Sequence, residues 1–189
     1  MKRILLVESS PRRGGNSEVI ADTLAAALSG EDARVFKMRE RDCRPCRACA
    51  ACQGKDAPSC VQKDDITALL PVIDACDALV LAAPIYNHQI HSQAKLFIER
   101  FYPFFRVDLP LMSNTSKRGK KAALLCSCWG GPLEVYERYA AWTAEGFSQI
   151  GAEHTRALVF HGIPAPGDIL KRPDYMDKLR ELAEWLKAD

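Results

Sequence analysis

The sequence predicts an α/β domain in which a five-stranded parallel sheet carries helices on both faces. Three observations support this prediction. Five short apolar runs alternate with segments of helical periodicity, as in a wound parallel sheet. One run, DALVLAAPIY, is almost continuously apolar, which suits a strand buried on both faces. The 189 residues contain no repeat or linker, so a single domain over 1–189 is expected.

The elements follow in order along the chain. The predicted strands are RILLVES (3–9), ARVFKM (33–38), DALVLAAPIY (77–86), KKAALLCSC (120–128) and AEHTRALVFHGI (152–163). The predicted helices are SEVIADTLAAALSG (17–30), DDITALLPVIDAC (64–76), SQAKLFIERFYPFF (92–105), PLEVYERYAAWTAEGFSQIG (132–151) and DYMDKLRELAEWLKAD (174–189). Asp64 or Asp65 would cap the second helix, and Pro71 would disturb its middle. The segment 104–120 lacks periodicity, and a lid, an oligomer contact and a solvated loop are equally consistent with it.

The charge, the apolar runs and the cysteine content limit the classes of function that are expected. A net charge of +2 gives no reason to expect a nucleic-acid partner. The start MKRILLVESSPRR is too short in its apolar run for a secretory signal, and no run reaches membrane-spanning length, so a cytoplasmic protein without a membrane partner is expected. Thiols stay reduced in the cytoplasm, which favours metal or redox chemistry over disulfides for the eight cysteines.

The loop after the first strand, SSPRRGGNS, suits a phosphate group. It offers hydroxyl, amide and cationic donors together with flexible backbone, and its residues are Ser9, Ser10, Arg12, Arg13, Gly14, Gly15, Asn16 and Ser17. The following helix would present its unpaired N–H groups to the same place. An ordinary capped turn explains the composition equally well. Neither a P-loop motif nor G-x-G-x-x-G follows the strand, so a mononucleotide remains.

Two further loops lie at the same predicted sheet edge, where ligands of open α/β sheets bind. After the third predicted strand, Pro84, Ile85 and Tyr86 would wall a planar ring, and Asn87 adds an amide. After the fourth, CSCWGGP offers Trp129 for stacking and Gly130 and Gly131 for close backbone approach. Taken alone, Trp129 is more typical of a core or interface tryptophan.

At this point the motifs resemble those of the flavodoxin-like NADPH-dependent FMN reductase family. The family pattern S-P-R-x-G-N-[ST] matches 10–17 with one extra residue, C-x-x-C-x-x-C followed by Cys and D-D matches 46–65, and P-[VI]-Y with K-x-F-I-[DE]-R matches 84–100. The resemblance covers about the first hundred residues. It implies strand order 2-1-3-4-5 and bound FMN. Glu8 departs from the pattern, which usually has a small or hydroxyl residue there.

The resemblance also implies positions for the cofactor. Ser10, Arg12, Asn16 and Ser17, with Gly15, would surround the FMN phosphate. Pro84, Ile85, Tyr86 and Asn87 would line the flavin ring, and the loop with Trp129 and Gly130 would complete the pocket. NAD(P)H would be the co-substrate, and the family is usually dimeric or tetrameric, which predicts a homodimer or homotetramer.

The cysteine-rich insertion at 41–64 places Cys43, Cys46, Cys49 and Cys52 at every third position, with Cys60 after a polar loop. A subgroup of the family, the iron-sulfur flavoproteins, holds a [4Fe–4S] cluster on such a motif. The implied ligands are Cys46, Cys49, Cys52 and Cys60, with Cys43 to spare, and Arg41, Arg44 and Arg47 would favour thiolates. No metal at all is an equally weighted alternative. Zinc ranks well behind both. The regular spacing is also consistent with an accidental sulfur stripe on an amphipathic helix.

The predicted function is therefore FMN-dependent electron transfer from NAD(P)H to a quinone, a flavin or another acceptor, small molecule or redox protein. The alternatives are an iron-sulfur electron carrier, a flavodoxin-type carrier without catalysis, and a zinc-stabilised binding protein. No catalytic side chain is assigned. His88 and His91 are interpreted as surface or interface histidines, and Lys95, Glu99 and Arg100 as a solvated or dimer-facing charge row.

Overall fold

A computed structural model describes residues 1–105 and 115–188 of the chain. The strands are β1 (Arg3–Glu8), β2 (Asp32–Lys37), β3 (Ala78–Tyr86), β4 (Gln89–Ile90), β5 (Lys120–Ser127) and β6 (Ala152–Phe160). The helices are α1 (Asn16–Ala27), α2 (Asp65–Ala75), α3 (Ser92–Glu99), α4 (Leu133–Glu145) and α5 (Pro173–Lys187). Most of the unassigned segment 104–120 lies outside the described residues.

The sheet has the order β2-β1-β3-β5-β6, and these five strands run parallel. Numbered as the five predicted strands, this is the order 2-1-3-4-5, so the predicted fold is confirmed. β1 lies inside the sheet, where Leu6 aligns with Val35 on one side and Val80 on the other. The short strand β4 was not predicted; it folds back antiparallel on β3, with Ile85 opposite Ile90.

Two helix predictions were too long. α3 ends at Glu99, and a 3₁₀ turn over Tyr102–Phe104 replaces the expected continuation because Pro103 cannot extend an α-helix. α4 ends at Glu145, and a 3₁₀ segment follows over Gly146–Ile150. Asp64 or Asp65 was predicted to cap α2. Asp64 is the N-cap, and its side chain accepts a hydrogen bond from Thr67 N.

Each face of the sheet buries its own apolar core. Along β1, Leu5 and Val7 join the core covered by α2, α3 and α4, whereas Ile4 and Leu6 join the core covered by α1 and α5. The alternation follows from the two-residue period of a strand. With both faces covered, the loops at the carboxyl edge of the sheet are left to form a site. Within the described ranges, no helix is long and apolar enough to cross a membrane.

Candidate functional site

A cavity of about 490 Å³ opens where β1, β3, β5 and β6 end. This volume lies within the range of about 300–1,000 Å³ that is usual for small-molecule sites. The cavity brings together every residue predicted for cofactor binding except Gly130. Those residues are Ser10, Arg12, Gly15, Asn16, Ser17, Pro84, Ile85, Tyr86, Asn87 and Trp129.

One end of the cavity offers groups that could hold an anion. α1 begins after Gly15, and no described side chain caps its first turn. The N–H groups of that turn have no partners within the helix, and the helix dipole places positive potential there. Exposed Arg12 lies in the same lining, as do the hydroxyls of Ser10 and Ser17. Ser17 Oγ is held 2.9 Å from Ser127 Oγ, which joins the start of α1 to the end of β5.

The side chain of Asn16 ties this loop to the segment after β6. Its Nδ2 donates to the carbonyls of Ile163 and Ala165, both at 2.9 Å, and its Oδ1 accepts from Ile169 N at 3.2 Å. The amide is therefore occupied by the protein itself. The backbone N–H of Asn16 remains available to an anion. Its side chain instead holds the loop and the segment after β6 together, which shapes the cavity.

Behind the loop lies a buried network centred on Arg39. Glu8, which is fully buried, accepts from Ser10 N at 2.7 Å and from Arg39 at 2.5 Å. Arg39 also donates to Glu18 at 2.5 Å, and Glu18 in turn accepts from Gly14 N at 2.6 Å. Two carboxylates thus fix two backbone N–H groups of the loop. The network explains how Glu8 is accommodated where the family pattern has a small or hydroxyl residue.

The two carboxyl groups of this network have opposite pKa shifts. Burial raises the pKa of Glu8 to about 7, although the Ser10 N–H and Arg39 oppose the shift. At Glu18, burial is outweighed by hydrogen bonds from Lys37, Gly14 N and Arg39, which lower the pKa to about 2. Glu8 is therefore the group beneath the loop that changes charge near neutral pH.

The other side of the cavity is lined mainly by apolar and aromatic side chains. Pro84 and Ile85 are buried, and Tyr86 and Trp129 are 43% and 79% exposed at the rim. Asn87 and His88, with φ of 48° and 68°, form the left-handed turn that returns the chain into β4. Such a wall suits the face of a planar ring.

His91 is not at the surface, so that prediction was wrong. Its side chain is buried and packs edge-on against Tyr86, with ring centroids 5.7 Å apart. Neither ring nitrogen forms a hydrogen bond within the described part of the chain. Burial lowers the pKa of His91, so a neutral imidazole supports the Tyr86 wall. His88, in contrast, is exposed and lies 3.1 Å from the hydroxyl of Tyr136.

Four lining residues were missed from the sequence: Ser127, Cys128, Ile163 and Pro164. All four follow or end a strand at the carboxyl edge of the sheet. The rule that located the other loops therefore also applies to the segment after the fifth predicted strand. Gly130 lies outside the lining. Its neighbour Gly131, with φ of 102°, packs against Tyr136.

The cysteine segment forms a second, much smaller cavity. Its residues 41–64 contain no regular helix, so the alternative of a sulfur stripe on an amphipathic helix is wrong. Cys46, Cys49, Cys52 and Cys60 all line one cavity of about 20 Å³, which is room for about one water molecule. Cys43 lies outside this lining, and its thiol donates to Met38 O at 3.9 Å.

Hydrogen-bond donors reach two of the four sulfurs. Ala48 N donates to Cys46 Sγ at 3.4 Å, and Gln53 Nε2 lies 3.7 Å from Cys52 Sγ. Ala48 and Ala50 have φ of 51° and 55°, a left-handed conformation that is uncommon outside glycine. Such donors stabilise negative charge on sulfur, and strained backbone of this kind is typical of ligand-binding loops.

The cations around the sulfurs differ from the expected set. Arg44 pairs with Asp42 at 2.6 Å and Arg41 stacks on Phe36, while Arg47 lines the cavity. The additional cation is Arg100, which also lines it and is only 1% exposed. The predicted charge row is therefore right for Lys95 and Glu99, which form an exposed pair at 2.7 Å, and wrong for Arg100.

The sequence suggested two kinds of metal centre for these cysteines, a zinc site and an iron–sulfur cluster. A zinc ion needs four sulfurs about 2.3 Å from one point, yet no three Cys, His, Asp or Glu side chains of the described residues converge on a metal-ion position. The same finding applies to an iron–sulfur cluster: four soft sulfurs line one cavity, with N–H donors and cations beside them, but no three of them converge in the described residues. A cluster exceeds the volume of one water molecule, so its insertion requires the segment to spread.

The sheet order and the flanking helices are those of the flavodoxin-like class, which binds ligands at this sheet edge. The chain belongs to the NADPH-dependent FMN reductase family, whose model matches residues 2–145. It is 32% identical to an iron-sulfur flavoprotein of Archaeoglobus fulgidus over 95 residues, which are 50% of this chain and 43% of that protein. It is 29% identical over 99 residues to YwqN of Bacillus subtilis, provisionally named an NAD(P)H-dependent FMN-containing oxidoreductase, across 52% of this chain and 51% of that one.

The matched segments span about half or less of these curated relatives. Solved structures agree with the fold over a longer stretch. An NAD(P)H:quinone oxidoreductase from Methanothermobacter marburgensis superposes with a TM-score of 0.74 at 15% identity, covering 100% of this chain and 98% of that one. An FMN-dependent NADH-azoreductase from Bacillus anthracis, in complex with FMN, superposes with a TM-score of 0.72 at 13% identity, covering both chains fully.

Proposed function

We propose that this chain binds FMN and transfers electrons from NAD(P)H to a quinone, a free flavin or another small acceptor. The observation that carries the proposal is that one cavity joins the uncapped start of α1 to a wall of apolar and aromatic side chains. Family membership supports the same assignment. FMN, when bound, supplies the hydride-accepting and electron-passing chemistry, and the protein supplies binding and orientation.

Different residues along the cavity would bind different parts of FMN. The α1 N–H groups, Arg12 and Ser17 would bind the phosphate. Ile85 and Tyr86 would hold the ring plane, with His91 behind Tyr86. Trp129, at the open rim, would exclude water from the ring on one side. No side chain needs to act as an acid or a nucleophile.

The first test is a visible spectrum of protein purified without oxygen, with released flavin identified as FMN, FAD or riboflavin. Rates of NADH and NADPH oxidation are then measured with a quinone and with free FMN as acceptors. Bound FMN that is bleached by NAD(P)H and reoxidised by an acceptor supports the proposal. A protein that fails to bind added FMN rules it out. FMN that NAD(P)H does not reduce indicates a non-catalytic carrier.

A second candidate function, an iron-sulfur electron carrier, is favoured by one specific observation. Four cysteines line one cavity, and donors reach the sulfurs of two of them. The similarity to an iron-sulfur flavoprotein, at 32% identity over half of this chain, supports it. Cys46, Cys49, Cys52 and Cys60 would then hold a [4Fe–4S] cluster, which would supply one-electron transfer. About four iron and four sulfide per chain would support this, and zinc without iron would contradict it.

We also propose a homodimer or homotetramer. Large apolar side chains are exposed on α4 and on the loop before it, among them Trp129 at 79% and Trp142 at 69%. Exposed apolar surface of this kind is typical of protein contacts. Gel filtration that gives a monomer at micromolar concentration would contradict the proposal.

A further inference from the structure

We propose that Glu8 is a positioning residue whose protonation is linked to phosphate binding: the loop after β1 binds a phosphate group more tightly when Glu8 is protonated than when it is ionised. The inference rests on the proposed FMN site and concerns its phosphate end alone. Its basis is a set of hydrogen bonds that joins Glu8 to the loop and to a shared cation. Because the family pattern usually has a small or hydroxyl residue at this position, the feature is one of this chain.

Glu8 and Glu18 each fix a backbone N–H group of the loop. Ser10 N donates to Glu8 at 2.7 Å, and Gly14 N donates to Glu18 at 2.6 Å. Ser10 lines the cavity. Two residues after Gly14 begins α1, whose first-turn N–H groups lack partners within the helix. An anion held at the start of α1 would therefore share the loop with two carboxyl groups.

One guanidinium serves both carboxyl groups. Arg39 donates to Glu8 and to Glu18, each at 2.5 Å, and its side chain is 9% exposed. The side chain of Glu8 is 0% exposed, so bulk water does not solvate its charge. Since Glu8 shares its cation with a second carboxyl group, its negative charge is only partly offset.

Charged groups surround Glu8 on several elements. In the sheet, its register partners are Lys37 on β2 and the uncharged Ala82 on β3. Glu18 acts on it from α1, and Arg39 acts from the turn after β2. Farther out, Asp22 pairs with Lys37 at 3.1 Å, Glu40 pairs with Arg39 at 3.3 Å, and His91 lies beside the backbone of Ser9.

The charge balance of the inner groups depends on Glu8. Lys37 and Arg39 are cations. At Glu18, burial is outweighed by hydrogen bonds from Lys37, Gly14 N and Arg39, which lower its pKa to about 2 and keep it ionised. With Glu8 protonated, these four side chains carry one net positive charge, and with Glu8 ionised they carry none. A phosphate anion nearby is favoured by the first state.

Glu8 changes between these two states near neutral pH. Burial raises its pKa to about 7, against the opposing effects of the Ser10 N–H and Arg39. A bound phosphate adds negative charge to the loop and raises this pKa further. Linkage then requires that FMN binding take up a proton where Glu8 of the flavin-free protein is ionised. It also requires that affinity for FMN fall as pH rises through about 7.

The experiment compares two flavins on the full-length protein. FMN and riboflavin share the ring, and only FMN carries a phosphate, so the ratio of their affinities isolates the phosphate end. Fluorescence titration gives both dissociation constants at pH 6.5, 7.5 and 8.5 in the wild type, Glu8→Gln and Glu40→Gln. Glu8→Gln keeps an acceptor for Ser10 N but cannot ionise. Glu40→Gln is the matched control, since it removes an exposed carboxylate from the same Arg39.

The expected result is a pH-dependent preference for FMN that requires Glu8. In the wild type, the preference for FMN over riboflavin should fall about 3- to 10-fold from pH 6.5 to 8.5, as expected for one buried charge acting on a phosphate. The phosphate itself, with a second pKa of about 6, is mostly a dianion over this range. The preference should stay nearly constant in Glu8→Gln and should follow the wild type in Glu40→Gln.

A second measurement needs no variant and decides the question if Glu8→Gln does not fold. Calorimetric titration of the wild type at pH 8, in two buffers of different ionisation enthalpy, counts the protons that binding takes up. FMN should take up part of a proton per chain, and riboflavin none. Uptake with FMN should disappear in Glu8→Gln.

Two outcomes overturn the inference while FMN still binds, and they leave the proposed function standing. One is the same pH dependence of the FMN preference in the wild type and Glu8→Gln, which is also the result of a merely structural role. The other is FMN binding at pH 8 without proton uptake. Protein that binds neither flavin refutes the proposed function, and this inference with it.

Discussion

Arg100 and Asp64 form a bidentate ion pair in which the two side chains are 2% and 0% exposed. The pair joins the end of α3 to the start of α2 across 36 residues of sequence. Removing one partner leaves the other charge buried without a counterion. The resulting loss in free energy of unfolding is much larger than the net contribution of the intact pair.

Asp64→Ala should therefore destabilise the protein by about 4 kcal/mol, since it strands the Arg100 charge and removes the cap of α2. Urea unfolding measures the difference. Lys95→Ala is the control, because it breaks an exposed i,i+4 pair worth about 0.3–0.5 kcal/mol. Equal losses in the two variants would contradict the role assigned to the buried pair.

The carboxyl group of Glu8 should make stability fall as pH rises. Its pKa of about 7 in the folded protein lies above its ordinary value of 4.5, so the folded state binds the proton more tightly between these limits. The contribution of Glu8 is most favourable below pH 4.5 and declines as pH rises to about 7. His91 acts in the opposite direction, because burial lowers its pKa.

The contribution of Glu8 is isolated by comparing unfolding free energies of the wild type and Glu8→Gln at pH 5, 6, 7 and 8. The variant should lose less stability than the wild type between pH 5 and 8, since Gln cannot ionise. The same pH profile in both proteins would show that Glu8 does not titrate in this range.

Arg12 should contribute to affinity for the phosphate of FMN. Its side chain lies in the cavity lining, and a charge-assisted contact is worth about 1.5–3 kcal/mol, or about 10- to 100-fold in affinity. Arg12→Gln should weaken FMN by that factor and riboflavin, which lacks the phosphate, hardly at all. Arg13→Gln, which removes the neighbouring cation outside the lining, serves as the control. Fluorescence titration measures both affinities. If Arg12→Gln loses the same affinity for FMN and for riboflavin, the contact with the phosphate is refuted.

The amide of Asn16 should stabilise both the fold and the cavity. Asn16→Ala leaves two carbonyls and one N–H without their partner, and a loss of about 2 kcal/mol is expected. Asn16→Asp should cost more, because it turns a carboxylate oxygen toward the carbonyls of Ile163 and Ala165. Chemical unfolding gives the order of the two variants, and a milder effect for Asp than for Ala would disprove the assigned orientation.

Gly131 and Gly130 provide a matched pair of neighbouring positions. A Cβ at Gly131 would lie 2.5 Å from the Tyr136 hydroxyl oxygen, and its φ of 102° is strained for any other residue, whereas a Cβ at Gly130 would meet no atom within 4 Å. Gly131→Ala should cost about 1–3 kcal/mol and Gly130→Ala less than about 0.5 kcal/mol. Thermal unfolding that ranks them the other way would contradict this geometry.

The sequence was sufficient for those parts of the protein that depend on local pattern. Alternation of apolar runs and helical segments predicted the sheet, and the carboxyl-edge rule located the cavity loops. A loop after the third predicted strand was expected at Asn87 and His88, but the hairpin that it forms was not, because it lacks the glycine that usually marks a tight hairpin. β4 was therefore missed with it.

Burial of polar residues could not be predicted in the same way. Arg100 follows Lys95 and Glu99 at spacings typical of a solvated helix row, and its partner Asp64 is distant in sequence. His91 lies beneath Tyr86 only because β4 folds back, so its position depends on the missed hairpin. The side-chain role of Asn16 likewise depends on Ile163 and Ala165, which come close only in the folded sheet.

The bond between Asn16 and the segment that follows β6 has a consequence for biosynthesis. Ribosomes deliver a chain from its N-terminus, so the loop after β1 emerges long before the groups that hold its Asn16 amide. Until translation has passed Ile169, the nascent protein lacks the part of the pocket lining that follows β6. It also lacks the groups that hold the Asn16 side chain in place. Cofactor loading should therefore be a late event, and prematurely terminated chains should carry none.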